Sequence, residues 1–519
     1  MNRKKWLSSL VMLLTLALML AACSGGGSNG QSGNSSGGQS GNADQTTGSS
    51  SSGEKEDTYH AVMAIPMFQA EPKDFQMVED EINRIMKEKI NATVDIMPIP
   101  IGNWMQQMNL MLSSGEKLDL LFTSSSMGYS SQAATGKLAP LNDLLAGPGK
   151  VIVENVGEKY INATKIAGES YGVPTIRDLA ANYEYVMRKD LVDKHNIDLT
   201  SIRTFDDIER VLEIIKTNEP DIVPIAPGGA GNSGMLVGYN AWDSLGDGFG
   251  VLMDPDSLVV SNLYESEEYR EIVTRMHDWY KKGYILRDAA TNQIAANQLV
   301  KAGKVFSYLG NGKPGFAEQE SRAAGMELVT VEIRGPFAAT TNVTGLMWSI
   351  AQQSENKEKA MEILSLFYSD KEIIDLINWG IEGVHYVKIG DNMIDFAEGL
   401  DASTTGYMPN WDWLTGNAYL TYVFKGGDPE VWEKTKVFNE SAKASKALGF
   451  TFNADPVKTE YTAVTNVVNQ YKVGLESGTL DPEKTLPEFI QKLKAAGIDK
   501  IIEEKQRQLD EWAQQNNVK

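Results

Sequence analysis

From residue 59 onward, short apolar runs alternate with longer amphipathic segments. YHAVMAIPMF (59–68) is an apolar run of strand length. DFQMVEDEINRIMKEKI (74–90) follows, with Phe75, Val78, Ile82, Ile85 and Ile90 near one face of a helix. ATVDIMPI (92–99) alternates at the strand period, NWMQQMNLMLSSGE (103–116) is helical, and LDLLFTS (118–124) is the next strand. A repeated strand–helix rhythm predicts a largely parallel sheet with helices on both faces. Ligands bind beyond the carboxyl ends of such strands, which singles out the loops after Phe68 and after Phe122.

The rhythm returns downstream. TFDDIERVLEIIKTNEPDIVPI (204–225) reads as helix then strand, with Thr204 as cap and Asp207 three residues on. SEEYREIVTRMHDWYKKGYI (266–285) is a helix ending at Gly283. KVFSYLG (304–310) and GLMWSIAQ (345–352) read as strands, residues 356–378 as two short helices, and residues 486–515 as helical again. There is no internal repeat.

The N-terminus follows a different pattern. Arg3, Lys4 and Lys5 precede a mostly apolar run over 6–20, which is short for a spanning helix and has the layout of a secretory signal peptide. The chain's one cysteine, Cys23, comes next, in LAAC (20–23). This segment resembles a bacterial lipobox, in which the thiol takes a diacylglycerol and cleavage leaves Cys23 as the first residue. An uncleaved anchor helix is the alternative. With no second cysteine, a disulfide is excluded. Residues 24–52 are nearly all Gly, Ser, Asn and Gln and cannot bury enough surface to order themselves. A flexible coil of ~30 residues reaches about 30 Å. The expected order is therefore signal peptide 1–22, tether 23–57, then a folded part.

That folded part has roughly 460 residues, too many for one core, so two packed lobes are the default. The net charge of −21 argues against nucleic acid, an anionic membrane surface or a polyanionic substrate. No thiolate metal site is open to the folded part, and the four histidines, His60, His195, His277 and His385, show no metal-ligand spacing. No cofactor is expected. GAGNSG (229–234) fits G-x-G-x-x-G, but Pro227 and the surrounding glycines favour a loop.

Several stretches resemble the extracellular solute-binding proteins of ABC importers, in particular the sugar-binding branch. They are LSSGEKLDLLF (112–122), ATGKLAPLNDLL (134–145), AGESYGVPTIRDLAANYEYVMRKDLVDKHNID (167–198) and WSIAQQSENKEKAMEILSLFYS (348–369). WGIEGVHY (379–386) and GIDKIIEEKQRQLDEW (497–512) resemble the LipO-type lipoprotein subgroup. Residues 387–473 match least. The resemblance implies a periplasmic-binding-protein-like fold of two α/β lobes with a ligand cleft and hinge between them. Lobe 1 would hold 58–182 and 340–395, and lobe 2 would hold 183–339 and 396–519. The crossings would fall near 182–184, 340–345 and 390–400. It implies capture of a small ligand, with an oligosaccharide favoured, and delivery to ABC permease subunits. The protein would be a non-enzymatic monomer, anchored at the outer face of the cell membrane by lipid on Cys23.

A sugar site needs aromatic faces for C–H patches and polar groups for hydroxyls. GYNAWDSLGDGFG (238–250) offers Tyr239, Asn240, Trp242 and Asp243. GYMPNWDWL (406–414) offers Trp411, Asp412 and Trp413, and WGIEGVHY offers Trp379, Glu382 and Tyr386. Polar candidates at strand ends are Glu71, the stretch from Ser124 to Tyr129, Asn311, and the favoured pair Arg177 and Asp178. Trp104, Trp279, Trp348, Trp432 and Trp512 sit in predicted regular elements and read as packing. Each aromatic candidate could instead pack a lobe interface, and Arg177–Asp178 could be a hinge salt bridge. A carbohydrate-cleaving lipoprotein would need two carboxylates at a set separation. With 69 acidic residues, sequence neither supports nor excludes such a pair. A scaffold or adhesion lipoprotein also stays open.

Overall fold

The computed structural model describes residues 57–226, 242–409 and 411–519, all within the unit Glu56–Lys519. Two five-stranded sheets organise them. The first has the order Ala92–Pro100, Tyr59–Met67, Leu120–Thr123, Met347–Ile350, Val173–Pro174. Tyr59–Met67 is parallel to both neighbours, with Tyr59 opposite Ala92 and Met63 opposite Leu120. The expected parallel arrangement holds for these three strands. Met347–Ile350 runs antiparallel to Leu120–Thr123 and to Val173–Pro174. That strand returns from the second sheet and enters beside Thr123, so it can only run the other way.

The second sheet has the order Lys443–Ala444, Leu328–Ala338, Ala181–Arg188, Val305–Gly312, Val223–Ala226. Residues 175–180 and 339–346 connect the two sheets directly. A third, longer connection runs from the helix Lys371–Trp379 to the strand Lys443–Ala444. The crossing expected at 182–184 falls slightly earlier, because Asn182 and Glu184 are already inside Ala181–Arg188.

Helices follow the predicted faces. Phe75–Ile90 buries Phe75, Val78, Ile82 and Ile85 in the first core, with Trp104, Phe122 and Trp348. Phe205–Asn218 opens with the predicted capping box: Thr204 Oγ1 accepts from Asp207 N, and the Asp207 carboxylate accepts from Thr204 N at 2.8 Å. Glu267–Lys282 ends at Gly283, whose φ of 72° lies in the left-handed region that glycine enters freely. The C-terminal stretch is two helices, Pro482–Ala496 and Ile498–Gln515, broken at Gly497 with φ 97°. Their Phe489, Leu493 and Ile501 belong to the second core, with Trp279 and Phe306.

The segment 396–519 was expected in the second lobe, yet Tyr407, Trp411 and Leu414 are buried in the first core. Aromatic packing holds them there. Trp411 meets Phe75 edge-on at 5.9 Å, and Trp413 meets Phe122 edge-on at 5.3 Å. The helix Val431–Ser441 then carries the chain to the second sheet. Its Asn439 pins the first crossing. Nδ2 donates to Arg177 O at 2.5 Å and to Tyr419 Oη at 2.7 Å, and Oδ1 accepts from Leu179 N at 2.9 Å.

Asn439→Ala leaves the buried Leu179 N–H without its partner and Arg177 C=O with only the Tyr419 hydroxyl at 3.3 Å, which should lower stability by about 1–3 kcal/mol. Urea unfolding checks this, and an unchanged midpoint would remove Asn439 as the pin.

Candidate ligand-binding cleft

Topology sets the position of the cleft. In the first sheet the carboxyl ends Met67 and Thr123 lie at one edge, where Thr123 pairs with Met347 beside the second crossing. In the second sheet Gly312 pairs with Asn182 and Phe337 with Ala181, beside the first crossing. The carboxyl ends of both sheets thus face the connections between them, the place where open α/β sheets bind ligands.

Two groups of cavities open there. The first is an aromatic groove of about 370 Å³, walled by Trp379, Phe396, Trp411, Phe424 and Trp432 and floored by Arg177, Asp178, Lys313 and Asp412. The size is that of a small-molecule site. Arg177 is its hub. Its Nε lies 2.5 Å from Asp178 Oδ1 and its Nη1 3.2 Å from Asp412 Oδ1, while Lys313 Nζ reaches Asp178 at 3.4 Å. Burial works against the Arg177 charge, but Asp412 and Asp178 more than offset it and hold the guanidinium charged. Asn378 is 1% exposed with no hydrogen bond to its Oδ1, and the Trp432 indole N–H is also unpartnered.

Trp411 is shared with a cavity of about 200 Å³ that Phe68, Gln69 and Trp413 also line. Phe68, at the end of the first strand, is 61% exposed. It stands edge-on to Trp413 at 5.3 Å, and Trp413 stands edge-on to the buried Phe122 at 5.3 Å. A core ring thus supports a half-buried ring, which supports an exposed one.

The second group is richer in hydroxyls, amides and acids. A cavity of about 310 Å³ is lined by Trp242, Asn311, Lys472 and Glu476, and one of about 540 Å³ by Ser125, Ser126, Asp243, Thr344 and Tyr461. Asp247 lines both. It is held by Lys505, which is fully buried, at 2.6 Å; the same ammonium donates to Gly250 O at 3.1 Å.

The structure brings Arg177, Asp178 and Trp411 together in the groove, with Trp413 alongside. Trp242 and Asn311 meet in the smaller polar cavity, and Asp243 lines the larger. Trp242 and Trp411 are 7% and 4% exposed, so each offers an edge and is otherwise core. Tyr129 lines none of these cavities, although Gly128 and Ser130 on either side of it line the larger of the second pair. Its hydroxyl donates to Thr164 O at 2.5 Å and accepts from Tyr171 N at 3.1 Å, so it is a packing residue. Glu382 pairs with Lys388 at 2.8 Å, and Tyr386 packs against Ile394 and Tyr422; neither lines these cavities, although the small three-stranded sheet they border gives Phe396 and Phe424 to the groove wall. Glu71 is exposed on the loop after the first strand. Tyr239, Asn240, the GAGNSG stretch and Cys23 lie outside the described residues.

Phe68, Trp432 and Glu476 are among the residues that escaped the sequence reading. Phe68 could have been found, since it closes a strand whose following loop was already singled out. Trp432 read as helix packing. Glu476 gave no signal, being one of many acids on amphipathic helices. Among the described residues no group of three or more His, Cys, Asp or Glu could hold a metal ion. No described helix is long and apolar enough to cross a membrane.

This geometry defines a two-lobed α/β binding protein, and comparison with known proteins places it further. The chain belongs to the family of bacterial extracellular solute-binding proteins, whose model matches residues 71–374. A domain of unknown function matches residues 446–514. A carbohydrate ABC transporter substrate-binding protein of Streptococcus pneumoniae serotype 4 is 29% identical over 516 residues, 98% of this chain and 99% of the relative. The polygalacturonan/rhamnogalacturonan-binding protein of Bacillus subtilis is 23% identical over 413 residues, 74% of each chain. A crystal structure of the N-glycan transport solute binding protein of Streptococcus pneumoniae superposes with a TM-score of 0.78 at 28% identity, covering 88% of this chain and 99% of that one. The same protein in complex with Man1GlcNAc gives 0.69, and with Man5GlcNAc 0.66, at the same coverage.

Tyr129→Phe removes one buried hydrogen-bond pair and should lower stability by about 1–2 kcal/mol without changing ligand affinity. Thermal melts with parallel calorimetry check this; a loss of affinity with stability intact would return Tyr129 to the site.

Proposed function

We propose that this chain is a lipid-anchored extracellular receptor that captures an oligosaccharide between its lobes and delivers it to the permease of an ABC importer. The observation that carries this reading is the run of rings from Phe122 through Trp413 to Phe68, opening beside the aromatic groove. Rings of this kind stack on the C–H faces of sugars, and Arg177, Asp178 and Asp412 fix hydroxyls between them. The glycan complexes of the pneumococcal relative support the ligand class.

Lobe closure drives capture. The chain superposes with a TM-score of 0.78 on one structure of the relative and with 0.69 and 0.66 on its two glycan complexes, at equal coverage. That ordering supports an open form that closes on ligand by hinge motion. The acids Asp243, Asp247 and Glu476 line the polar cavities, against Lys472. With acids outnumbering the one lining cation, a neutral glycan suits these cavities better than a uronate. The protein works as a monomer and returns its ligand unchanged, which mass spectrometry of the recovered glycan checks.

Calorimetry with Man5GlcNAc tests the site. Phe68→Ala should weaken binding at least tenfold, about 1.4 kcal/mol, with an unchanged melt, because the ring is exposed. Trp411→Ala should instead lose about 3–5 kcal/mol of stability. An unaltered Kd in Phe68→Ala would move the sugar face elsewhere. For the anchor, Cys23→Ala should abolish metabolic labelling with a fatty acid; label retained on that variant would contradict lipidation at Cys23.

A further inference from the structure

The matched segment of unknown function, 446–514, supplies one wall of the polar cavities. Its Phe452 and Tyr461 line the larger cavity, and its Lys472 and Glu476 line the smaller. Its Lys505 holds Asp247, which lines both. Glu476 ends the helix Lys458–Glu476 and is 2% exposed. Tyr269 Oη donates to its Oε1 at 3.4 Å, while Oε2 has no hydrogen-bond partner. A buried carboxyl left short of a partner is destabilising, and native folds satisfy nearly all such groups. One standing in a cavity wall beside a cation, an amide and an indole has the composition of a ligand contact.

We propose that this polar cavity is a second ligand subsite, in which Glu476, Lys472 and Asn311 take an uncharged, hydroxyl-rich end of the glycan. The proposal rests on the oligosaccharide reading and gives the C-terminal segment its role: it selects what binds beyond the aromatic groove.

The chemistry predicts a distinctive readout. The groups that face Glu476 are Lys472 on its own helix, Tyr264 and Tyr269 from the neighbouring segment, and Asp247 across the cavity. His277, also near, is engaged with Gly478 O at 2.8 Å. Burial pushes the carboxyl up to about 7, with Lys472 and Tyr269 pulling the other way. It is therefore largely neutral below pH 7 and ionised above. A sugar in the cavity displaces the water that would solvate the ionised form, so binding favours the neutral form. Affinity should be highest below pH 7 and fall above it.

Calorimetry with Man5GlcNAc at pH 6 and pH 8 tests this. The wild-type Kd should rise by up to about tenfold at pH 8, the limit for one group titrating near 7. Glu476→Gln, uncharged throughout, should change less than about twofold over the same interval. Tyr269→Phe, which removes the hydrogen bond favouring ionisation, should retain tight binding to higher pH. A wild-type Kd equal at both pH values, or a Gln variant with the wild-type pH dependence, would overturn the subsite. Failure of the wild type to bind Man5GlcNAc at either pH would overturn the glycan reading itself, and the subsite with it.

Discussion

The partial burial of Arg177 is the constraint on which the rest of the cleft depends. A guanidinium with only 15% of its side chain exposed is stabilised by carboxylates set beside it. Asp178 does so from the same crossing, and Asp412 from the loop that carries Trp411 and Trp413. Lys313, just past a strand of the second sheet, joins through Asp178. One ion network therefore ties together the first crossing, the aromatic loop of the first core and the second lobe. Asn439 holds the Arg177 carbonyl from a fourth element. Displacing any of these moves the floor of the groove.

The cavities divide two kinds of recognition. The groove and its neighbour at Phe68 offer apolar ring faces over a polar floor, which suits stacking with a few directional hydrogen bonds. The second pair offers hydroxyls, amides and acids beside rings that include Trp242, Phe452 and Tyr461. A long, uncharged and hydroxylated ligand satisfies both, a short apolar one only the first. Among the described residues the chain passes between the sheets through three crossings, the arrangement that the proposed closure needs.

Periodicity made much of the fold legible. Strand Tyr59–Met67, helix Phe75–Ile90 and the Thr204–Asp207 cap are specified within a few residues of sequence, so local pattern suffices. Residues 387–430 were opaque because their elements are short, such as Met393–Phe396 and Val423–Phe424, and their rings are placed by partners hundreds of residues away. The site was half legible for the same reason. Arg177 and Asp178 stand where a strand-and-crossing pattern puts cleft residues, and Trp411 and Trp413 where loops carry rings. Sequence could not show that Trp411 faces inward onto Phe75, nor that Tyr129 turns to Thr164. Glu476 becomes distinctive only when Tyr269 and its helix pack over it.

Crystallising the chain with Man5GlcNAc tests the central claim most directly. The predicted result is glycan density between the two sheets, one ring against Phe68 and Trp413 and hydroxyls within hydrogen-bond reach of the Arg177 network, with the lobes drawn closer than in the structure described above. Density elsewhere on the surface, or an empty cleft in crystals grown with saturating glycan, would contradict it.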